Sequence, residues 1–282
     1  MTSRRTPVTV AVQPWFADHC FDQKIVLPAV ESMLLLATAV AGLHPEIDIR
    51  VMEDVRFSKF LEIPAGSTRL EVLVEDQRGE KGAILARLLS RVQYKAMTRL
   101  KEHGEILFPA RTDGGPVPGA IPAPSSAPEA EVSAEEVYRE LVPFGAAYHT
   151  LRETLYLAGE YAWGNLRAPA LPLADGVGEI LGSPFPLDGA FHAACVLGQR
   201  FADFVPFPVG FARRVVTRPT QAGGHYRARV HLISRTRDEL LFDLSIVDDQ
   251  DQVYESVNGV RMRDVSGGRI KPPDWIRRGQ RP

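Results

Sequence analysis

Two long apolar runs of helical character, each followed by a series of short alternating segments, set the narrowest limit on what this chain can fold into. The first, AVESMLLLATAVAGL at 29–43, opens behind Pro28, where a missing backbone N–H costs a helix nothing, and is expected to stop at Gly42. It is apolar on most sides, which predicts a buried helix. IDIRVMEDVRF follows with Ile47, Ile49 and Val51 on one face, then LEVLVED with Leu70, Val72 and Val74, then AILARLLSRVQY and GEILF. The second run, DGAFHAACVLGQRFADF at 188–204, is succeeded by VGFARRVVTRP, YRARVHLIS, LLFDLSIVDD and VYESVNGVRMRDV. In YRARVHLIS, Tyr226, Ala228, Val230 and Leu232 alternate with Arg227, Arg229 and His231, the pattern of a sheet with one wet face. A buried helix followed by an antiparallel meander, twice over, predicts an α+β class.

The segment from Asp113 to Glu131, DGGPVPGAIPAPSSAPEAE, concentrates Gly, Pro, Ala and Ser without apolar periodicity and reads as a surface linker. The expected organisation is an N-terminal half over 1–112, a linker over 113–132, a C-terminal half over 133–265 and a frayed Gly/Pro/Arg-rich tail over 266–282. Ser133 and Glu136 have capping-box spacing, which predicts a short helix to Leu141, and an aromatic and glycine-rich loop is expected to lead from there to the second run.

At 282 residues the chain has ample apolar content for a core that needs no covalent staples. A formal net charge of −2 argues against a general nucleic-acid binder. Cys20 and Cys195 are too few for a disulfide framework and have no ligand-like spacing, so no metal is called for and a reducing cytoplasm is the default. The apolar stretch of MTSRRTPVTVAVQPW is broken by Gln13 and Pro14, and no run reaches membrane-spanning length, so neither export nor membrane insertion is expected.

Three side chains carry potential acid-base chemistry. His19 sits between Trp15-Phe16 and Phe21, where desolvation favours the neutral imidazole that accepts a proton. Asp188 follows Pro186 and is expected to open the second helix as its N-cap. His192, four residues on, shares its helical face. Taken singly, a loop histidine, a helix cap and a core histidine describe them equally well.

Their surroundings change that reading. ADHCFDQKIVLP resembles the first motif of polyketide-synthase-type dehydratases, HxxxGxxxxP, with His19 and Pro28 at the required spacing and Gln23 at the glycine position. VYRELVPFGAAYHTL is similar to the family's GYxYGPxF region: Gly145 is retained, Tyr148 replaces phenylalanine, and Leu141, Val142, Phe144 and Ala146 stand at the other named positions. LDGAFHA resembles DxxxQ/H through Asp188 and His192. VPFPVGFARRV is similar to the LPF segment, and DLSIVDDQDQVYESVNGVRMRDV to the closing strands.

The resemblance implies a double hotdog, two antiparallel sheets side by side, each wrapping a long central helix, with His19 and Asp188 facing one another across a tunnel. It implies a hydro-lyase that dehydrates a β-hydroxyacyl thioester to the α,β-enoyl thioester in polyketide or specialised fatty-acid synthesis. The substrate would arrive on the phosphopantetheine of an acyl carrier protein, and no further cofactor is expected. His19 would take the α-proton, Asp188 would donate to the departing hydroxyl from a tunnel that raises its pKa, and His192 would orient Asp188 by hydrogen bonding. Backbone N–H groups near Gln23 and the start of the Pro28 helix would meet the enolate, and Phe144, Tyr148 and Trp163 would line the tunnel. Other synthase components are expected partners, and a homodimer is compatible with the assignment. Glycine accepts a positive φ that Gln23 resists, so the turn behind His19 is expected to differ or to be strained. Phe144 lacks the hydroxyl of the family's tyrosine. A product-template-type cyclase and a non-catalytic dehydratase-like scaffold are the alternatives, whereas a hotdog thioesterase would leave the His19 motif unexplained. Arg213 and Arg214, with Arg235 and Arg237, offer either a cationic dock for an acidic carrier protein or simply solvated strand ends.

Overall fold

The computed structural model describes residues 3–79, 81–94, 97–110, 119–124, 126–173 and 176–278. The first half runs from β1 (Ser3–Ala11) through a 3₁₀ turn (Pro14–Asp18), the small hairpin β2 (Cys20–Phe21) and β3 (Lys24–Ile25), and helix α1 (Ala29–Leu43). It continues with β4 (Val51–Phe57), β5 (Arg69–Arg78), β6 (Ile84–Tyr94) and β7 (Met97–Phe108). The second half opens with β8 (Ala130–Ser133), α2 (Ala134–Glu136), a π turn (Val137–Leu141), a 3₁₀ turn (Ala146–Tyr148), β9 (Leu151–Ala158) and β10 (Tyr161–Arg167). Then come α3 (Val177–Leu181), α4 (Phe185–Gln199), β11 (Phe207–Val216), β12 (His225–Arg235), β13 (Glu239–Val247), β14 (Val253–Arg263) and α5 (Asp274–Arg278).

All these strands except β2 and β3 join one twelve-stranded sheet in the order β1-β5-β6-β7-β4-β11-β14-β13-β12-β10-β9-β8. Helix α1 packs on β5, β6 and β7, and α4 packs on β9, β10, β12 and β13. Each half therefore wraps its own helix, as a double hotdog requires, and the two sheets fuse where β4 pairs antiparallel with β11. Every residue of α4 is buried, which is why its sequence shows no polar stripe. Among the described residues no helix is long and apolar enough to cross a membrane.

Several expectations need correction. Helix α4 begins at Phe185, because Pro186 falls in the first turn where its missing N–H is harmless; Asp188 is thus a first-turn residue and not the cap. The capping box of Ser133 and Glu136 is present, and the helix continues as a π turn to Leu141. The expected aromatic loop contains β9 and β10. Residues 111–118 and 125 of the linker region lie outside the described residues, while Ala130–Ser133 already pairs with β9. The tail is not frayed over its described length. Arg269 Nη1 pairs with Asp22 Oδ2 at 2.8 Å, Trp275 Nε1 donates to Glu140 Oε2 at 2.8 Å, and Ile276 is buried in the core.

The turn behind His19 keeps the conformation that glycine would favour. Phe21 pairs with Lys24, leaving Asp22 and Gln23 as the two loop residues, with φ of 50° and 62°. Positive φ at both positions defines a type I′ hairpin, for which glycine at the second is preferred. Gln23 is exposed and adopts the left-handed region at a cost of about 1 kcal/mol.

At the seam between halves, Arg214 of β11 reaches Glu255 of β14 with Nε at 2.9 Å and Nη2 at 2.7 Å from Oε2. Both residues are buried, 2% and 0% exposed. Arg214 is therefore not part of a surface dock, and Arg235 lies over the Phe201 ring. Removing one partner of such a pair strands a buried charge. Arg214→Leu should lower unfolding free energy by about 3–5 kcal/mol in urea titrations, and an unchanged midpoint would contradict this account. Gln23→Gly should instead raise stability by up to about 1 kcal/mol in the same measurement.

Candidate active site

The 3₁₀ turn Pro14–Asp18 ends at His19, whose backbone N–H donates to Phe16 O at 3.0 Å. Its position is locked from the other half. Gly145 N donates to Asp18 O at 2.8 Å, and Ala147 N donates to Asp18 Oδ2 at 2.8 Å. A Cβ on Gly145 would stand 2.4 Å from Asp18 Cγ, so this contact admits only glycine. The imidazole stacks on Phe144 at 4.4 Å between centroids and meets Tyr148 edgewise at 5.1 Å.

His19 Nδ1 lies 3.1 Å from Val26 O. A carbonyl only accepts, so Nδ1 carries the proton of the neutral ring and Nε2 is the basic nitrogen. Burial, at 9% exposure, holds the His19 pKa below the ordinary histidine value; the nearby Asp188 carboxyl and the Val26 bond pull the other way and lose. The ring is a base kept neutral by its surroundings.

Asp188 enters from the first turn of α4. His192 Nε2 lies 3.0 Å from Asp188 Oδ2, yet the two atoms are not aligned for a hydrogen bond. The expected orienting bond is thus a close contact only. On the other side of the His192 ring, Nδ1 is 3.5 Å from the Tyr138 hydroxyl, which accepts from Leu151 N at 2.8 Å. Asp188 Oδ2, His192 Nε2 and Tyr148 Oη are all buried without a hydrogen-bond partner. Such atoms are uncommon in a native interior, and their gathering around His19 marks a place built for polar chemistry.

His19, Asp188, His192 and Phe144 line one cavity of about 400 Å³, a size suited to a small-molecule ligand. Its inner end is made of the buried His19, Asp188 and His192 with the half-buried Phe144, and the exposed stretch Ser58–Phe60 stands at its rim. Of the other expected site residues, Gln23 lies on the exposed hairpin, Pro28 is the buried N-cap of α1, Gly145 clamps Asp18 and Tyr148 stands behind His19; these shape the wall without lining it. Trp163 stacks on Tyr156 in the sheet, away from the cavity. Ala29, the first residue of α1, does line it.

Three lining or supporting residues escaped the sequence. His103 joins the wall and bonds Ser90 Oγ at 2.7 Å, with Nδ1 3.1 Å from the carbonyls of Lys59 and Phe60, so it pins the rim loop. Tyr138 was visible only as a helical residue. Cys195 was seen as a free thiol with no assigned place; burial pushes it up to about 12, so it lines the cavity as an uncharged group.

Comparison with known proteins agrees with this geometry. A family profile described as polyketide synthase dehydratase N-terminal domain matches residues 117–270, and one described as polyketide synthase dehydratase domain matches residues 3–91. The chain is 26% identical over 267 residues to polyketide synthase ThaG of Burkholderia thailandensis, covering 91% of this chain and 4% of that protein. It is 27% identical over 212 residues to mycoketide-CoA synthase of Mycobacterium tuberculosis, covering 73% of this chain and 5% of the relative. The chain thus spans a small fraction of the length of these relatives. Its fold is similar to the crystal structure of a trans-AT polyketide synthase dehydratase domain from Brevibacillus brevis, with a TM-score of 0.72, 19% identity and 94% of each chain covered. With a dehydratase profile spanning more than half of its length and His19, Asp188 and His192 gathered at one cavity, the chain belongs to the polyketide synthase dehydratase family.

Proposed function

We propose that this chain is an active hydro-lyase that converts a β-hydroxyacyl thioester into the α,β-enoyl thioester and water. The observation that carries the reading is the meeting of a neutral, oriented base from one half and a carboxyl from the other at the inner end of a single cavity. His19 Nε2 takes the α-proton, its Nδ1–H remaining on Val26 O. The C–H electron pair becomes the new C=C bond as the β C–O bond breaks, and Asp188 delivers a proton to the departing hydroxyl. The proton on His19 then returns to Asp188, and the site is reset. Charge developing on the thioester oxygen is met by the first-turn N–H groups of α1, beginning at Ala29, since helix N-termini favour anions. The reaction needs no metal or redox cofactor.

An acyl carrier protein is the proposed source of the substrate, with other synthase components as neighbours in the cytoplasm. A thioester on a phosphopantetheine arm suits a cavity whose reactive end is buried and whose rim is exposed.

Purified protein should interconvert 3-hydroxyacyl and enoyl thioesters, and His19→Ala and Asp188→Asn should each lower the rate at least about a hundredfold. Full activity in either variant would exclude the mechanism. Because burial lowers the His19 pKa, the acidic limb of kcat/KM against pH should have its midpoint below the ordinary histidine value of about 6.5. A midpoint above that value would show that the attraction of Asp188 outweighs burial.

A further inference from the structure

The wall of the cavity changes character with exposure. His19 and Asp188 are buried; Phe21 and Phe207 are half-buried and join the exposed Phe60 in an aromatic collar, with Phe21 at 4.8 Å from Phe60 and 5.1 Å from Phe207 between ring centroids. Two cations, Lys59 of the rim stretch and Lys101 of β7, complete the lining, the first exposed and the second half-buried. A neighbouring groove, walled by the exposed Val92 and Leu100, shares Ser58, Lys59 and Lys101 with the cavity, so both lysines stand where the cavity opens outward.

The two lysines are held together by a built feature of the sheet. Leu88 pairs with Gly104 and Leu89 with Glu102, which leaves His103 as the extra residue of a β-bulge in β7. Its Nδ1 donates to the carbonyls of Lys59 and Phe60 at 3.1 Å each, Ser90 Oγ lies 2.7 Å from its Nε2, and its own carbonyl accepts from Ser58 N at 3.0 Å. Burial holds the His103 pKa below the ordinary histidine value, aided by the charges of Lys101 and Lys59 and opposed by the two carbonyl bonds, so His103 is a neutral brace and not a third cation. The carboxylates nearby are engaged elsewhere. Glu62 pairs with Lys24 at 2.9 Å, and Glu102 accepts from Ser58 Oγ at 3.0 Å and lies 3.7 Å from Arg87 Nε. Among the described residues neither Lys59 nor Lys101 takes part in a salt bridge.

We propose that Lys59 and Lys101 form a phosphate subsite at the mouth of this cavity, which takes the phosphate of a phosphopantetheine thioester while the aromatic collar takes the branched apolar part of the arm. The proposal rests on the dehydratase reading and names what holds its substrate away from the reacting atoms. A phosphopantetheine thioester presents, in order, an anion, a gem-dimethyl unit, two amides and the thioester. The wall presents, in order of decreasing exposure, cations, aromatic rings and the acid-base pair. Lysines suit an anion that must arrive and leave in every cycle, because an ammonium is a point charge without the fixed fork of arginine, and at the surface each contributes modestly.

The test compares one β-hydroxyacyl group carried on pantetheine and on phosphopantetheine, which differ only in the phosphate, as substrates of the intact protein. kcat/KM should be about tenfold higher for the phosphorylated form, chiefly through KM, and this preference should shrink as salt is raised. Lys59→Met and Lys101→Met, which keep an apolar stem and lose the charge, should each reduce the preference about threefold and together abolish it. Lys59→Arg combined with Lys101→Arg should retain it. Lys81→Met, in the exposed turn before β6, should leave the preference intact. Equal kcat/KM for the two substrates in wild type, or a preference that survives in the double Met variant, would overturn the proposal. So would a loss in that variant confined to carrier-bound substrate, which would place the lysines against the carrier protein instead of the arm. Calorimetric binding of phosphopantetheine and of pantetheine, neither carrying an acyl group, separates the subsite from the reaction. Wild-type protein that turns over no thioester, yet binds phosphopantetheine more tightly than pantetheine and loses that difference in the double Met variant, would overturn the dehydratase reading and uphold the subsite; turnover without any phosphate preference would do the reverse.

Discussion

The pairing of β4 with β11 is the constraint on which the rest depends, because it turns two separate sheets into one and brings a wall from each half to the same cavity. Its register sets Arg213 opposite Glu53, Arg214 opposite Met52 and Val215 opposite Val51. Strand side chains alternate between faces, so a slip of one residue would turn Val51, Met52 and Val55 of β4 off their buried positions and take Met52 away from Arg214, whose Nη1 lies 3.7 Å from its sulfur. Full burial of one such apolar side chain stabilises by about 1.5–3 kcal/mol, far above the fraction of a kcal/mol by which one cross-strand pairing differs from another. A buried ion pair contributes little net stability compared with apolar residues of the same size. Here the Arg214–Glu255 pair fixes β11 against β14, and so holds the strand on which the other half docks.

From that alignment the site follows through short-range contacts. The 3₁₀ turn carrying His19 and the 3₁₀ turn at Ala146–Tyr148 touch, and the Asp18–Gly145 approach joins them closely enough to exclude any Cβ. Phe144 then lies flat against the imidazole, and Phe144 also stands 5.3 Å from His192. The family's tyrosine hydroxyl is absent at Phe144, but a hydroxyl reaches the same neighbourhood from Tyr138, one π turn earlier. Helix α4 supplies the Asp188 carboxyl from its first turn, and the sheet supplies apolar walls and the His103 brace at the rim.

The sequence disclosed the parts with strong periodicity and concealed those whose periodicity is broken. Helices α1 and α4 were legible because unbroken apolar runs of that length have few other uses. Strands β9 and β10 were not, because Glu153 sits at a φ of 58° and the register shifts between Gly164 and Asn165, which destroys the alternation expected of a strand. The tail looked frayed through its Gly and Pro content, and only the core shows the slot that Ile276 fills. At the site, His19 and Asp188 were individually ordinary and became informative through the motifs around them. Gln23 was read as a point of strain, and the structure locates that strain in a two-residue turn outside the cavity.

Burial at the inner end of the cavity determines how the proposed reaction can proceed. It keeps His19 neutral despite an adjacent carboxyl, which means that an isolated imidazolium is costly there. Proton abstraction creates that imidazolium, and protonation of the leaving hydroxyl leaves a carboxylate on Asp188. Formed one at a time, each charge bears the full cost of desolvation. Formed together, they stabilise one another across a short, low-dielectric gap, where attraction between opposite charges is several times stronger than in water. The environment that suppresses an isolated imidazolium on His19 therefore favours coupling of the two proton transfers.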